Sequence, residues 1–219
     1  LLISMAARAQ PEAFPSTYTA PAGQPVLFKN ATILTGDGRR LDETDLYIAE
    51  GQIQWVGEGE MALGATEVDA SGQWITPGLI DVHSHLGVYP SPGVAAHSDG
   101  NEATAPVTAE VWAEHSVWPQ DPGFSRALAG GVTAMQILPG SANLFGGRGV
   151  TLKNVPSISY QGMKFPDAPH GLKMACGENP KRVYGGRTQA PSTRMGNVAA
   201  YRSAWIRAQR YQADWDRYN

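Results

Sequence analysis

The sequence has only one cysteine, Cys176, among its 219 residues. A single cysteine cannot form a disulfide within the chain, so cysteine usage leaves the redox compartment open. The chain is also poor in charge, because Asp, Glu, Lys and Arg together make up 17% of it and the formal net charge is -3. Its 17 Lys and Arg residues are mostly scattered. We therefore expect neither nucleic acid nor an anionic membrane as a partner.

Long hydrophobic runs are missing as well, since no stretch approaches the roughly 18 apolar residues of a transmembrane helix. The N-terminus is nevertheless apolar and small from Leu1 to Ala7, and Ala7-Arg8-Ala9 has the form of a signal-peptidase site. We interpret residues 1–24 as a signal-peptide remnant followed by an extended, proline-containing leader. The alternative is an ordinary N-terminus. The first interpretation predicts a periplasmic or secreted protein.

Glycine and proline, by contrast, are plentiful, with 25 and 16 residues, which is typical of a turn-rich α/β protein. Residues 25–76 contain short runs of alternating apolar residues separated by turns. The clearest is the pair of runs 45–49 and 52–57, joined by Glu50-Gly51. This segment predicts a small, mostly antiparallel β-sandwich domain.

The pattern changes after Pro77-Gly78. Apolar runs at 79–83, 131–138 and, more weakly, 170–177 are typical of buried parallel strands, and residues 125–130 and 108–118 could form helices between them. Near the C-terminus, apolar and aromatic residues recur at helical spacing, which favours a helix that packs on a barrel. They are Val198, Tyr201, Trp205, Ala208, Gln212 and Trp215.

The motif His83-Ser84-His85 carries the chemistry. Side chains alternate faces along a strand, so both imidazoles would point the same way, about 6.5–7 Å apart. That spacing lets two neutral rings bind one divalent ion at ~2.1 Å each. An H-x-H motif alone is a weak indication of a metal site.

The string from Thr76 to His85, TPGLIDVHSH, resembles the signature of the amidohydrolase superfamily. Three downstream segments resemble its imidazolonepropionase-like branch. They are the runs 130–133, 139–149 and 171–180. The resemblance implies a small β-sandwich followed by a (β/α)8 TIM-type barrel, of which residues 77–219 would supply the first part. It also implies one or two metal ions, usually Zn2+, with His83 and His85 as ligands.

In such proteins a carboxylated lysine, or in some branches a glutamate, bridges the metals. Lys173 lies inside an apolar run, where an unmodified ammonium would be costly to bury and a carbamate would become an oxygen ligand. Glu178 is the competing candidate. A third possibility is that neither residue is a ligand, with Lys173 reaching solvent and Glu178 capping a loop.

The glycine-rich loop 139–149 offers two candidates for substrate binding. Arg148 could pair with a substrate carboxylate, and Asn143 lies in the same loop. A solvated arginine on a turn is an equally good interpretation. The isolated His97, His115 and His170 are expected to be structural, and Cys176 is expected to be an inert core residue.

The predicted function is hydrolysis of an amide-type C–N bond, cyclic or peptidic, by metal-activated water acting on a small-molecule or peptide substrate. The alternatives are a catalytically silent binding protein that keeps the fold, and a deaminase on the same scaffold. The family pattern needs two further histidines and a general-base aspartate, and no matching segment exists before Asn219. A barrel takes about 250 residues. We therefore expect the remaining C-terminal half of the barrel as a partner, in another chain or in further residues.

Overall fold

The computed structural model describes residues 13–57, 59 and 62–219, and it shows a mixed α/β protein. The chain divides into two compact units. One comprises residues 19–79, and the other comprises residues 80–219 together with the N-terminal segment up to Tyr18. The proposed signal remnant and its cleavage motif fall on residues 1–9, outside the described residues, so the predicted export stays a prediction.

The unit 19–79 is built on one five-stranded sheet. Its strands are β1 (Val26–Leu34), β2 (Arg40–Ala49), β3 (Gln52–Val56), β4 (Thr66–Asp69) and β5 (Trp74–Ile75). The order is β3-β2-β1-β4, and β5 also pairs with β1. A small core of Ala31, Ile33, Leu46 and Ala70 is buried beneath it.

This sheet is less antiparallel than the sequence predicts. The β1–β2 and β2–β3 pairs are antiparallel, but β4 and β5 both run parallel to β1. Hairpin turns join β1 to β2 and β2 to β3, whereas the longer connection after β3 brings Thr66 back beside Val26, at the start of β1. Alternation of apolar residues gives a strand's faces but not its direction, which explains the difference.

The second unit contains most of the helices. Its elements, with a first strand that begins at Leu79, are β6 (Leu79–Ser84), α1 (Pro122–Ala129), β7 (Val132–Ile137), β8 (Phe145–Arg148), β9 (Val150–Lys153), α2 (Tyr160–Met163), β10 (Leu172–Met174), α3 (Glu178–Gly185) and α4 (Arg194–Tyr218). Strands β6, β7 and β9 form one sheet in that order, and β8 pairs with β10 in another. Among the residues that the structure describes, no helix is both long and apolar enough to span a membrane.

The core of this unit lies around β7 and β9. Met135, Ile137 and Leu152 are fully buried there, next to Phe124 of α1. Helix α1 begins where Asp121 accepts a hydrogen bond from the Gly123 amide and Pro122 occupies the first turn, as is usual at helix N-termini. Burial of these side chains fixes the end of β7 in space.

Three expectations for this unit are wrong. The segment 139–149 is not only a loop, because β8 begins in it at Phe145, and a second strand follows at once. Strand β10 pairs antiparallel with β8 instead of joining a parallel sheet. Residues 108–118 contain only a short 3-10 turn at Ala113–Ser116. The sequence pattern did not indicate β8 because the strand contains glycines. A Cβ on Gly147 would lie 2.6 Å from the Val111 carbonyl oxygen, so the close contact between β8 and the backbone at Val111 requires glycine there.

Two further apolar patterns are more exposed than expected. Ile80 and Val82 of β6, predicted to be buried, are each 69% exposed. On α4, Trp205 and Tyr211 are about half exposed, while Tyr201 packs its ring edge-on against Phe145. The periodicity located the helix correctly, but the extent of its packing depends on elements that the pattern cannot show.

A buried ion pair of the second unit also binds the backbone of the N-terminal segment. Lys164 Nζ lies 2.5 Å from Glu114 Oε2, and the two side chains are only 7% and 1% exposed. Lys164 Nζ also donates to the Phe14 carbonyl, while the Phe14 amide donates to Glu114 Oε1. Since both charged groups are removed from water, each depends on the other and on this backbone contact.

We predict that Lys164→Met destabilises the protein by about 3–5 kcal/mol, because it leaves the Glu114 carboxylate buried without a countercharge. Urea unfolding measures the change. The double variant Glu114→Leu/Lys164→Met should regain most of the loss. Lys153→Met is the matched control, because the Lys153 ammonium lies over the rings of Tyr18 and Phe165 and has no ion pair among the described residues; its loss should cost about 1 kcal/mol or less. Equal destabilisation by both lysine variants would contradict the prediction.

Candidate functional site

His83 and His85 lie side by side where β6 ends. Their ring centroids are 5.3 Å apart and the ring planes are nearly perpendicular. The His85 Nδ1 atom is 2.8 Å from the Leu138 carbonyl oxygen. Because a carbonyl oxygen only accepts hydrogen bonds, Nδ1 carries a hydrogen, and the tautomer of a neutral ring that fits this contact has its lone pair on Nε2. One imidazole of the pair is therefore prepared to act as a ligand.

Lys173 comes to the same place from β10. Its Nζ atom lies 3.0 Å from His83 Nε2, although the two residues are 90 positions apart in the sequence. The side chain is 9% exposed, and burial lowers the pKa of its amine below the ordinary value of a lysine. The structure thus brings three of the predicted ligands, His83, His85 and Lys173, into one group.

Glu178, the competing bridging candidate, is not part of that group. It is exposed in the first turn of α3, where a carboxylate is favoured by the helix dipole. Among the described residues, no three His, Cys, Asp or Glu side chains lie close enough together to hold a metal ion. Glu178 therefore does not join both histidines, and any third ligand in the described part must be of another residue type.

Tyr89 adjoins the histidine pair and was missed from the sequence. Its ring packs edge-on against His85, with centroids 5.9 Å apart, and its hydroxyl contacts the Asn101 side chain. Burial raises the pKa of the phenol, and the Asn101 contact opposes this to a smaller extent. The phenol therefore stays protonated at neutral pH. A tyrosine in a Gly- and Pro-rich segment carries no periodic signal by which it could have been found.

A cavity of about 490 Å³ lies in this part of the unit. Its walls include Asn101, Pro139 and Gly146, and the Lys173 side chain passes within van der Waals reach of a Cβ built on Gly146. Two residues of the cavity wall therefore adjoin the group: Asn101 contacts Tyr89, and Gly146 lies beside the Lys173 side chain. Its size is suited to a small organic molecule.

Comparison with known proteins gives consistent results. Amidohydrolase tasK of Hapsidospora irregularis is 37% identical over 90% of this chain, which covers 23% of that protein. The crystal structure of an amidohydrolase from Thermotoga maritima MSB8 matches with a TM-score of 0.80 and 44% identity, over 87% of this chain and 49% of that one. A dihydroorotase from Pelotomaculum thermopropionicum is 38% identical over 28% of this chain and 14% of that protein. No family model matches.

The chain belongs to the amidohydrolase superfamily. The superfamily predicted from the TPGLIDVHSH string is thereby confirmed. The chain spans about a quarter of the curated amidohydrolase and about half of the solved one. The narrower assignment to the imidazolonepropionase-like branch stays a prediction.

Asn143, predicted to bind substrate, is 1% exposed and holds a neighbouring loop instead. Its amide nitrogen lies 2.6 Å from the Glu102 carbonyl oxygen, 3.0 Å from that of Ala105 and 2.7 Å from Thr108 Oγ1. The Tyr184 hydroxyl donates to the same Ala105 carbonyl. The loop 102–108 is therefore fixed from two sides, and Glu102 at its start is also part of the cavity wall.

Arg148, the other substrate candidate, lies over the Trp112 ring with its guanidinium carbon 4.6 Å from the ring centroid. This cation–π contact gives the side chain a structural role, and its pairing with a substrate carboxylate stays a prediction. His170, as expected for a structural residue, holds the Gly149 carbonyl through Nδ1 and packs on Trp112. Cys176 is exposed, so its placement in the core is wrong.

The remaining two histidines lie in other aromatic contacts. His97 packs on Trp118, with ring centroids 4.5 Å apart, and His115 lies between Phe14 and Tyr160. These contacts agree with the structural role expected for both.

We predict that Asn143→Ala lowers the free energy of unfolding by about 2–3 kcal/mol, because it removes the buried amide whose three contacts hold the loop 102–108 and leaves the buried Thr108 hydroxyl without that donor. The measurement is urea denaturation. The matched control is Asn197→Ala, which removes another buried amide, one that makes a long hydrogen bond of 3.3 Å to the Gly177 carbonyl. It should cost about 1 kcal/mol. Asn143→Ala proving no more destabilising than its control would refute the role given to Asn143.

Proposed function

We propose that this chain supplies the first metal ligands of a hydrolase that cleaves an amide-type C–N bond in a cyclic amide or a peptide. The observation that carries the proposal is the convergence of His83, His85 and Lys173 in one group, with the cavity wall at Gly146 next to the Lys173 side chain. The family adds weight, since its relatives include enzymes named amidohydrolase and dihydroorotase.

The donor set fits a divalent metal such as Zn2+. Imidazole nitrogen is a common zinc ligand, and the contact between His85 Nδ1 and the Leu138 carbonyl is the kind of support that fixes a ligating ring. Lys173 must lose its positive charge before the group can bind a divalent cation. An ammonium at Lys173, 3.0 Å from His83 Nε2, would repel a metal at that nitrogen.

Carboxylation of Lys173 removes this conflict. The neutral form of a lysine amine attacks CO2, the amine loses a proton, and the resulting carbamate carries a negative charge and two oxygen donors. Burial favours this change because it lowers the pKa of the amine and so raises the neutral fraction. Of the two bridging candidates, the geometry favours Lys173 over the exposed Glu178.

A bound metal would polarise the substrate carbonyl and activate a water molecule. The protein's own residues perform the other tasks. His83 and His85 would hold the metal with neutral rings, and the Leu138 carbonyl fixes the His85 tautomer. The loop held by Asn143 shapes one side of the cavity and so limits which substrates enter.

We also propose the larger architecture that the family suggests. The unit 80–219 would be the first part of a (β/α)8 barrel, the unit 19–79 a small β-sandwich domain, and the remaining half of the barrel would supply the later histidines and the general-base aspartate. The exposed apolar side chains of Ile80 and Val82 support this proposal, since apolar strand residues of a closed barrel are covered.

The test is metal content, measured by mass spectrometry on the complete natural polypeptide that carries this chain. We expect His83→Ala to weaken zinc binding by more than about 100-fold, because a direct ligand is lost, and to abolish hydrolysis. Lys173→Ala should lower metal content too, and added bicarbonate should not restore it. His115→Ala, an exposed histidine outside the group, is the control and should retain its metal.

Activity on dihydroorotate, hydantoin, N-acyl amino acids and aminated purines then separates the possible reactions. Ring opening or release of an amino acid supports the hydrolase, whereas ammonia release from a purine supports a deaminase on the same scaffold. Normal zinc stoichiometry in His83→Ala would overturn the ligand assignment. Full metal content with no turnover of any of these compounds would favour a silent binding protein.

A further inference from the structure

Tyr89 and Asn101 form a polar pair whose hydrogen-bond direction is fixed by the backbone. Asn101 Oδ1 accepts a hydrogen bond from the Ala142 amide at 3.1 Å. An amide N–H can only donate, so the oxygen of the Asn101 side chain must face Ala142. Its NH2 group therefore faces Tyr89, as the contact of Asn101 Nδ2 with the phenolic oxygen shows.

This arrangement leaves the phenolic proton available. The NH2 group of Asn101 donates to the Tyr89 oxygen, which therefore acts as an acceptor in this contact. The hydroxyl still has its own hydrogen, and among the described residues no group accepts it. Tyr89 is 41% exposed, so this hydrogen can reach a molecule from solvent. The site thus holds a neutral donor beside His85, in addition to its metal ligands.

The surrounding backbone holds the phenol in place. A Cβ on Gly140 would lie 2.7 Å from the Tyr89 hydroxyl, and a Cβ on Gly100 would overlap the Tyr89 ring. The two glycines are joined by a hydrogen bond of 2.7 Å from the Gly140 amide to the Gly100 carbonyl. The ring is also against His85. A donor positioned in this way loses little conformational entropy when it binds a ligand.

We propose that Tyr89 donates a hydrogen bond to a carbonyl oxygen of the substrate, and that Asn101 is a positioning residue that directs the phenolic proton outward. The pair selects compounds with an oxygen acceptor near the bond that is cleaved. This inference rests on the proposed function, since it names the substrate group that the same site would recognise.

The experiment uses acetamide as a neutral probe with a carbonyl oxygen, and thioacetamide as a matched probe whose sulfur is a poorer acceptor. Both are titrated into protein labelled with 13C at the ζ carbon of tyrosine, and the Tyr89 signal is assigned by its absence in Tyr89→Phe. We expect acetamide to shift the Tyr89 signal in a saturable way. Thioacetamide should bind about three- to tenfold more weakly, as expected for one neutral hydrogen bond.

Asn101→Asp is the decisive variant, because it keeps the shape of the pair but replaces the NH2 donor by an oxygen acceptor. Tyr89 would then donate inward to Asp, and its proton would no longer be free. We expect the preference for acetamide over thioacetamide to disappear in this variant while the melting temperature and metal content stay unchanged. Tyr89→Phe removes the hydroxyl altogether and should weaken acetamide binding to a similar extent. Because this variant lacks the Tyr89 signal, its affinity is measured by letting it compete with the labelled wild type for acetamide.

Two results would overturn the inference. One is a Tyr89 signal that acetamide does not move in the wild type. The other is an unchanged acetamide preference in Asn101→Asp. Both are independent of the metal, so a failure here leaves the ligand roles of His83 and His85 standing. Loss of metal in His83→Ala together with an unmoved Tyr89 signal would reject this inference alone.

Discussion

The candidate site depends on one residue, Leu138, whose backbone makes two hydrogen bonds between the end of β7 and the end of β6. Its amide donates to the Ser84 carbonyl, and its carbonyl accepts from His85 Nδ1. The first bond holds the end of β7 beside the end of β6, and the second uses the same residue to orient a candidate ligand. Because Met135 and Ile137 are fully buried just before it, Leu138 has little freedom to move. Packing of the core therefore fixes the direction of a polar side chain at the surface, and the chemistry of the site follows from that packing.

The position of Lys173 depends on the strand that pairs with β10 more than on the sequence of β10 itself. Strand β10 has three residues, of which Leu172 and Met174 are partly exposed and Lys173 is buried. Its pairing with β8 aligns Lys173 with Gly147, and β8 is in turn held by close approach of the chain at Val111. These backbone contacts therefore place the Lys173 side chain next to His83. A buried amine without a carboxylate partner is costly unless it loses its proton or is modified, and either change serves a metal site.

The sequence was informative where a motif is local and poor where a contact is distant. His83 and His85 are two residues apart on one strand, so their proximity follows from strand geometry alone. The helix at the C-terminus was predicted from periodicity, and the helix expected at 125–130 corresponds to α1, which begins three residues earlier at Pro122. The direction of β4, the strand at Phe145–Arg148 and the location of Tyr89 were not predicted. Each depends on a neighbour far along the chain: Val26 for β4, Val111 for Gly147, and Gly100 and Gly140 for Tyr89. Exposure of Cys176 belongs to the same class, because burial is a property of the assembled fold.

A common physical rule connects the two polar arrangements beside the cavity. Side chains such as imidazole and carboxamide can present either a donor or an acceptor, but a backbone amide or carbonyl cannot reverse its role. The Leu138 carbonyl therefore selects the His85 tautomer that keeps a lone pair on Nε2, and the Ala142 amide selects the Asn101 orientation that leaves the Tyr89 proton free. Both backbone groups follow from the course of the chain between β7 and β8. That connection places the His85 lone pair and the Tyr89 hydroxyl in one site, and this combination of an electron-pair donor and a proton donor is what the proposed binding of a carbonyl group requires.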